Sequence, residues 1–263
     1  MKTIKILFIG DIVGKPGRRT AKLMIPKIKE EENIDYVFAN GENLAAGKGI
    51  TLAKYHEMIE AGVDYFTTGN HVWNNSDIIP HLGEDNIKIL RPYNYPNEDP
   101  GKGLAQIDNI VLVNLQGRVF MDENIADPFT AAKDIAREYK DKIIIIDLHA
   151  EATSEKVALA YYLDGEVSAV LGTHTHVQTA DEKILEKGTG YISDLGMTGP
   201  YDSVLGVQKE IIIEKFLTQL PASHKIAVGD TIFSAIVLTI NVETKKCVEI
   251  KRIYQKIDKE SLA

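Results

Sequence analysis

The stretch Ile4-Lys5-Ile6-Leu7-Phe8-Ile9-Gly10-Asp11 establishes a pattern that recurs along the chain. An apolar run ends at a turn residue, and a side chain capable of chemistry follows it. Further short apolar runs, separated by segments with helical spacing, are interpreted as strands at 36–39, 65–68, 142–147, 169–172 and 191–193. Continuous apolar strands between helices predict a sheet that is buried on both faces.

Two regions break this alternation of strands and helices. Residues 103–117 are typical of paired strands around Asp108-Asn109, and residues 231–257 are typical of a long hairpin. Together with helical patterns at 18–31 and 52–61, they predict an α/β protein with a mixed sheet or two stacked sheets and helices outside. No linker, repeat or low-complexity tract interrupts the chain, so we expect a single domain over residues 1–263.

The composition excludes several classes of protein. The chain has 263 residues, 44% of them hydrophobic, which excludes a disordered protein. Its net charge of 30 − 38 = −8 argues against a long nucleic acid or an anionic membrane as the main partner. Because Cys247 is the single cysteine and no apolar run approaches ~20 residues, we predict a cytoplasmic protein without disulfides or membrane spans.

Five predicted strands end in carboxylate, amide or imidazole side chains. In open α/β sheets, ligands bind in the crevice beyond the carboxyl ends of the strands. If these ends converge, one pocket contains Asp11, Glu42, Asn43, Asn70, His71, His149, His174 and His176.

Each of these residues also has a simpler interpretation when it is taken alone. Asp11 could cap the following helix, and Asn70-His71 could form a turn. His174 and His176 are harder to explain in this way, because alternation places both on one face if their strand continues. The simpler interpretation must hold at five strand ends at once, so we favour a common site.

The donor types in this set indicate a metal site. Imidazole nitrogen with carboxylate and amide oxygen suits Fe, Mn, Zn or Co, whereas a structural zinc or an iron–sulfur cluster would use cysteines. Eight candidate groups are too many for one ion. Two ions bridged by a carboxylate would use them well, and paired metals ~3.5–4 Å apart are typical of phosphoester hydrolysis.

Six segments with this pattern stand in order within residues 4–206. They are GDIVGKPGR at 10–18, NGEN at 40–43, TGNHVW at 68–73, DLHAE at 147–151, GTHTHVQTAD at 172–181 and DLGMTGP at 194–200. In these segments the sequence resembles the calcineurin-like metallophosphoesterases and, within them, the bacterial YmdB-like phosphodiesterases.

The resemblance implies a four-layer αββα sandwich with two metal ions. It implies two sets of ligands that share Glu42 as the bridge, and it makes His71 a general acid rather than a ligand. The first set is Asp11, Glu42, Asn43 and His176, and the second is Glu42, Asn70, His149 and His174.

The chain departs from the wider superfamily at two positions of the first set. Val13 stands where the superfamily usually has a histidine, and Glu42 stands where it usually bridges with an aspartate. The YmdB-like subgroup shares both changes. The resulting oxygen-rich shell favours Fe or Mn, as divalent or trivalent ions, with Zn as an alternative.

The resemblance also implies an enzyme that hydrolyses small phosphodiesters, with 2′,3′- or 3′,5′-cyclic nucleotides as the favoured substrates. A metal-bridged hydroxide would attack phosphorus, and His71 would protonate the leaving oxygen. Trp73, Tyr93, Tyr95 and Tyr201 could stack on a base, although local packing is their commoner role. Two alternatives stay open: another metallohydrolase such as an amidohydrolase, or a regulatory or scaffold protein that senses a nucleotide through a retained metal site. A homo-oligomer is compatible with all three.

Overall fold

The computed structural model describes residues 2–121 and 124–262, and within these ranges strands and helices alternate for most of the chain. The strands are β1 (Thr3–Ile9), β2 (Asp11–Ile12), β3 (Tyr36–Asn40), β4 (Tyr65–Thr67), β5 (Leu104–Ile107), β6 (Ile110–Gln116), β7 (Ile143–His149), β8 (Ala169–Thr173), β9 (Lys183–Ile184), β10 (Gly190–Ile192), β11 (Met197–Pro200), β12 (Thr231–Asn241) and β13 (Cys247–Ile257). The α-helices are α1 (Gly14–Glu32), α2 (Leu52–Glu60), α3 (Pro128–Glu138), α4 (Thr153–Tyr162) and α5 (Lys209–Thr218).

These strands form two mixed sheets. In the first sheet, β1, β3 and β4 are parallel neighbours, and β12 pairs antiparallel with β1, β11 and β13. The second sheet has the order β5-β6-β7-β8-β10-β9, in which β6, β7, β8 and β10 are parallel. The predicted hairpin over 231–257 is confirmed as β12 and β13, and the predicted strand pair over 103–117 as β5 and β6.

Alternation along the buried strands produces four layers. Ile6 and Phe8 of β1 face a core shared with the second sheet, whereas Leu7 and Ile9 face α1 on the other side. In the second sheet, the β7 residue Ile145 faces this shared core and its neighbours pack against α3 and α4. Helix, sheet, sheet and helix therefore stack in that order, which confirms the predicted αββα sandwich.

Helix boundaries differ from the prediction mainly at α1, which begins at Gly14 instead of residue 18. The extra turn contains Pro16, and proline is tolerated in the first turn of a helix because the backbone N–H groups there have no partner within the helix. None of the helices in the described ranges is long and apolar enough to cross a membrane.

Candidate metal centre

The carboxyl ends of strands from both sheets meet at one edge of the sandwich. Glu42 lies in the turn after β3, and His149 is the last residue of β7 in the other sheet. Their side chains nevertheless approach within 3.1 Å, between Oε2 of Glu42 and Nε2 of His149. The site is therefore built across the interface of the two sheets, at the edge where the sequence predicts it.

Nitrogen and oxygen donors converge at this edge. Glu42, His149 and His174 each offer one ligand atom, and the three atoms lie within 4.8 Å of one another. Nε2 of His149 is 3.0 Å from Nδ1 of His174 and 3.2 Å from Oδ1 of Asn70. A second contact of this kind joins His176 to Asn43, described below. Where the lone pairs of these nitrogen and oxygen atoms face one another at such short distances, a cation placed between them would be stabilised.

The side chain of Asp11 tests whether the site suits a metal ion. It is fully buried, and its Oδ1 has no hydrogen-bond partner among the residues that the structure describes. Its other oxygen, Oδ2, accepts the backbone N–H of His174 over 3.3 Å. An unpartnered buried carboxylate oxygen is costly unless a cation lies beside it. The donor set therefore fits a transition-metal site.

Burial and mutual charge shift the pKa values of these groups. Burial raises the pKa of Asp11. Burial would also raise that of Glu42, but attraction to His149 and hydrogen bonds from His149 and His71 hold it well below its usual range. Despite burial, Glu42 raises the pKa of His149 to about 9. Burial and the neighbouring His149 lower the pKa of His174 to about 3. The burial of Asp11 and Glu42 side by side therefore favours a positive charge between them.

His71 lies at the rim of the site, with 23% of its side chain exposed. Its Nδ1 is 3.0 Å from Oε1 of Glu42, and its backbone N–H donates to Oε2 of the same carboxylate over 3.3 Å. Asn43 Nδ2 is also 3.4 Å from this Nδ1. These contacts use Nδ1, so Nε2 is the nitrogen left to face a substrate.

His174 and His176 do not share a strand face, contrary to the prediction. β8 ends at Thr173, and the two histidines follow with φ values of 101° and 66°, in the left-handed region that non-glycine residues rarely adopt. Asp194 holds this loop by accepting from the backbone N–H of Thr175 over 3.1 Å and from its hydroxyl over 2.7 Å. A turn therefore directs both imidazoles inward.

His176 and Asn43 form a further contact at the same edge. Nε2 of His176 is 3.2 Å from Oδ1 of Asn43, and its Nδ1 is 3.1 Å from the carbonyl oxygen of Leu205. Burial lowers the pKa of His176, which favours the neutral, ligating form of the imidazole. All eight residues predicted from the sequence are thus placed at this one edge.

A buried polar network behind these residues was missed at the level of sequence. Asp147 is fully buried within β7, and burial raises its pKa. Its oxygens accept hydrogen bonds from Thr67 at 2.5 Å, from Asn40 at 3.0 Å and from Thr173 at 2.7 Å. A carboxylate inside an otherwise apolar strand is the signal that could have identified this support.

A second buried ion pair supports the loop of His174 and His176. Nζ of Lys156 lies 2.7 Å from Oδ2 of Asp194, and both side chains are at most 2% exposed. Asp194 belongs to the DLGMTGP segment, but Lys156 does not stand out in the sequence, because a lysine in a helix usually points to solvent. Through Asp194, Lys156 therefore links this loop to α4.

The family of the chain follows from a comparison with known proteins. A family model described as "YmdB-like protein" matches residues 7–253. The chain belongs to the YmdB-like family. This confirms the resemblance carried by the six sequence segments, including the metallophosphoesterase type of fold.

Relatives cover nearly the whole YmdB-like chain. It is 47% identical to the 2′,3′-cyclic-nucleotide 2′-phosphodiesterase of Bacillus subtilis, over 95% of this chain and 96% of that protein. The solved structure of a novel phosphatase from Mycoplasma pneumoniae superposes with a TM-score of 0.92 at 33% identity, covering 100% of this chain and 97% of the other. A hypothetical protein from Thermus thermophilus gives a TM-score of 0.89 at 42% identity, covering 97% of this chain and 100% of the other.

Proposed function

We propose that this protein is a metal-dependent phosphoric diester hydrolase whose substrates are small 2′,3′-cyclic nucleotides. The observation that carries the proposal is the convergence of Glu42, His149 and His174 beside the unpartnered oxygen of Asp11. The 2′,3′-cyclic-nucleotide 2′-phosphodiesterase activity named for the Bacillus subtilis relative supports the 2′,3′-cyclic class. The 3′,5′-cyclic alternative has no such support.

Two ions would be held by the residues that the structure brings together. Asp11, Glu42, Asn43 and His176 would hold one, and Glu42, Asn70, His149 and His174 the other. When bound, the ions supply positive charge that polarises the phosphoryl group and activates water. Because three of the four ligands in the first set donate oxygen, we propose Fe or Mn over Zn.

His71 acts as the general acid in this proposal. Glu42 lies 3.0 Å from Nδ1 of His71, and this contact orients the ring. Nε2 then donates a proton to the departing sugar oxygen, a step typically worth ~10²–10⁴-fold in rate. The partly exposed position of His71 at the rim allows it to reach the substrate.

The charge of the site explains how an anionic substrate could bind an acidic protein. Two divalent ions against Asp11 and Glu42 leave a positive pocket, and local charge outweighs distant surface charge that salt screens. We therefore propose a small substrate rather than a long nucleic acid. We also propose a cytosolic location, which a single buried thiol, Cys247, would tolerate. A homo-oligomer remains compatible with this proposal.

A hydrolysis panel tests the proposed function. Chelator-stripped protein is reloaded with Mn, Fe, Zn or Mg and assayed on 2′,3′-cyclic AMP, 3′,5′-cyclic AMP, a phosphomonoester and an amide. We expect turnover of the 2′,3′-cyclic diester, best with Mn or Fe, and loss of that turnover in Asp11→Asn. The matched control is Asp141→Asn at an exposed carboxylate. Inactivity with every metal would overturn the proposal, and tight nucleotide binding without hydrolysis would instead support a sensor.

A further inference from the structure

A cavity of about 330 Å³ borders the candidate metal centre on the side of His176. His176 and the two residues that follow it form one wall. The ring of His176 contacts Asn43 through Nε2 and the carbonyl oxygen of Leu205, which also lines the cavity, through Nδ1. The imidazole therefore stands between the proposed metal ligands and the cavity.

Two exposed tyrosines line this cavity from different parts of the chain. Tyr201 follows β11 and is 47% exposed, whereas Tyr254 lies on β13 and is 56% exposed. Met197 and Ile232, both buried, contribute apolar surface to the same cavity. Aromatic faces beside an apolar surface are suited to stacking with a flat heterocycle.

The side chain of Gln178 fixes one wall of the cavity. The amide Nε2 of Gln178 donates to the carbonyl oxygens of Ala235 and Ile253 over 3.2 and 3.1 Å. These bonds fix the amide, and its Oε1 has no hydrogen-bond partner within residues 2–121 and 124–262. The amide is therefore a fixed part of the cavity wall, held against β12 and β13.

The charge balance of the cavity argues against a second phosphate. Arg252 lines the cavity, but its Nε lies 3.2 Å from Oε1 of Glu182, so the positive charge is already matched. Two larger cavities beside α1, lined by Lys15 and Arg19, border none of the proposed metal ligands. The His176 cavity is therefore the better candidate for the neutral part of a substrate.

We propose that this cavity is the nucleobase subsite, in which Tyr201 and Tyr254 stack on the base while the cyclic phosphate lies at the metal centre. The proposal rests on the proposed function, because it assigns a place to the nucleoside of that substrate. In a 2′,3′-cyclic nucleotide only the ribose separates the base from the phosphate. The base must then lie close to the metals, and the cavity begins at the ring of one proposed ligand.

The test compares substrates that share a five-membered cyclic phosphate and differ in the nucleoside. The metal-loaded full chain is assayed on 2′,3′-cyclic AMP and on ethylene phosphate, which has neither ribose nor base. Tyr254→Ala and Tyr201→Ala are expected to lower the preference for the nucleotide by about 10-fold or more, mainly through KM, because stacking contributes ~1–3 kcal/mol per base. Tyr254→Phe keeps an aromatic ring and is expected to retain the wild-type preference for the nucleotide. Tyr161→Ala serves as the control, because Tyr161 is an exposed tyrosine on α4.

A binding experiment keeps this proposal separate from the proposed function. Calorimetry measures the Kd of adenosine 3′-monophosphate and of inorganic phosphate on the same metal-loaded variants. We expect Tyr254→Ala to weaken nucleotide binding about 10-fold more than phosphate binding, even if no substrate is hydrolysed. Equal losses for both ligands, or no loss for either, would overturn the subsite. Failure of hydrolysis alone, with this binding difference intact, would overturn only the diesterase activity.

Discussion

The hydroxyl of Thr173 determines which nitrogen of His149 carries a proton. Thr173 Oγ1 donates to Oδ1 of Asp147 over 2.7 Å, and Nδ1 of His149 lies 2.9 Å from the same Oγ1. Since the hydroxyl hydrogen is directed at the carboxylate, the hydroxyl oxygen accepts the N–H of Nδ1. Nε2 is then the nitrogen that faces Glu42 and is available as a ligand.

Replacing Thr173 by Val should weaken metal binding without altering any ligand. Loss of a group that orients a ligating histidine typically lowers metal affinity ~10–100-fold. Thr173→Ser keeps the hydroxyl and should retain most of the affinity. Titration of chelator-stripped protein with Mn²⁺ by calorimetry measures both variants, and equal affinity in Thr173→Val and the wild type would contradict this role.

Replacing His71 by Ala should lower kcat on 2′,3′-cyclic AMP by ~10²–10⁴-fold, because the leaving oxygen loses its proton donor. The loss should be much smaller on a p-nitrophenyl diester, whose leaving group departs without protonation. Metal content, measured by mass spectrometry, should stay at the wild-type level. His81→Ala, at a partly exposed histidine beside Glu84 and outside the site, is the control. Loss of metal in His71→Ala would identify it as a ligand instead.

Replacing Glu42 by Gln should weaken both metal sites together, because its carboxylate is proposed as the bridge. A ligand that binds only the folded state raises stability by about 2.7 kcal/mol at 100 times its Kd. The rise in Tm on adding Mn²⁺ should therefore be large for the wild type and small for Glu42→Gln. Thermal scans with and without metal measure it, and an undiminished shift would rule out Glu42 as a bridge.

Replacing Gly10 by Ala should destabilise the fold, whereas Gly83→Ala should not. A Cβ on Gly10 would lie 2.0 Å from the carbonyl oxygen of Gly196, and both groups belong to paired backbone that cannot move aside. Overpacking of this kind costs ~1–3 kcal/mol or more. A Cβ on Gly83 would meet nothing within 4 Å. Urea unfolding of the metal-free proteins measures the difference, and equal stability of the two variants would contradict the tight packing.

The thiol of Cys247 should be unreactive in the folded protein. Burial raises its pKa to about 12, from an ordinary value of 9.0, and the thiol donates to the carbonyl oxygen of Glu249 over 3.2 Å. At pH 8 a thiol reagent should label the protein only after denaturation. The raised pKa stabilises the fold below pH 9, and this contribution should be lost as the pH rises from about 9 toward 12. Rapid labelling of the native protein would contradict this burial.

Most of the fold could be predicted because the signals are local. The run Ile143–Ile146 is apolar at every position, as expected for a strand that is covered on both faces, and it lies inside β7. Polar residues that end such strands must lie at one edge of parallel sheets, so the membership of the candidate site could also be predicted. The sequence could not choose between one mixed sheet and two stacked sheets, because strand pairing depends on long-range contacts.

What could not be predicted is the backbone that directs the site residues. The positive φ values of His174 and His176 contradict the propensity of these residues, and they persist because Asp194 and Lys156, distant in sequence, hold the loop. The role of Thr173 could not be predicted either, because it depends on contacts between residues that are distant in sequence. A threonine is typical of a strand, and only its position between Asp147 and His149 reveals its function.

The pairing of β12 has a consequence for the order of events during synthesis. Every proposed metal ligand precedes residue 177, yet β12, at 231–241, pairs with β1 along seven consecutive positions and also with β11 and β13. A nascent chain that has emerged only to residue 230 contains all the ligands but leaves this side of β1 without its strand partner. The core around Ile6 and Phe8 lacks its β12 residues, such as Ile236 and Leu238, until then. We therefore expect the proposed ligands to emerge from the ribosome well before the sheet that positions them has all its strands.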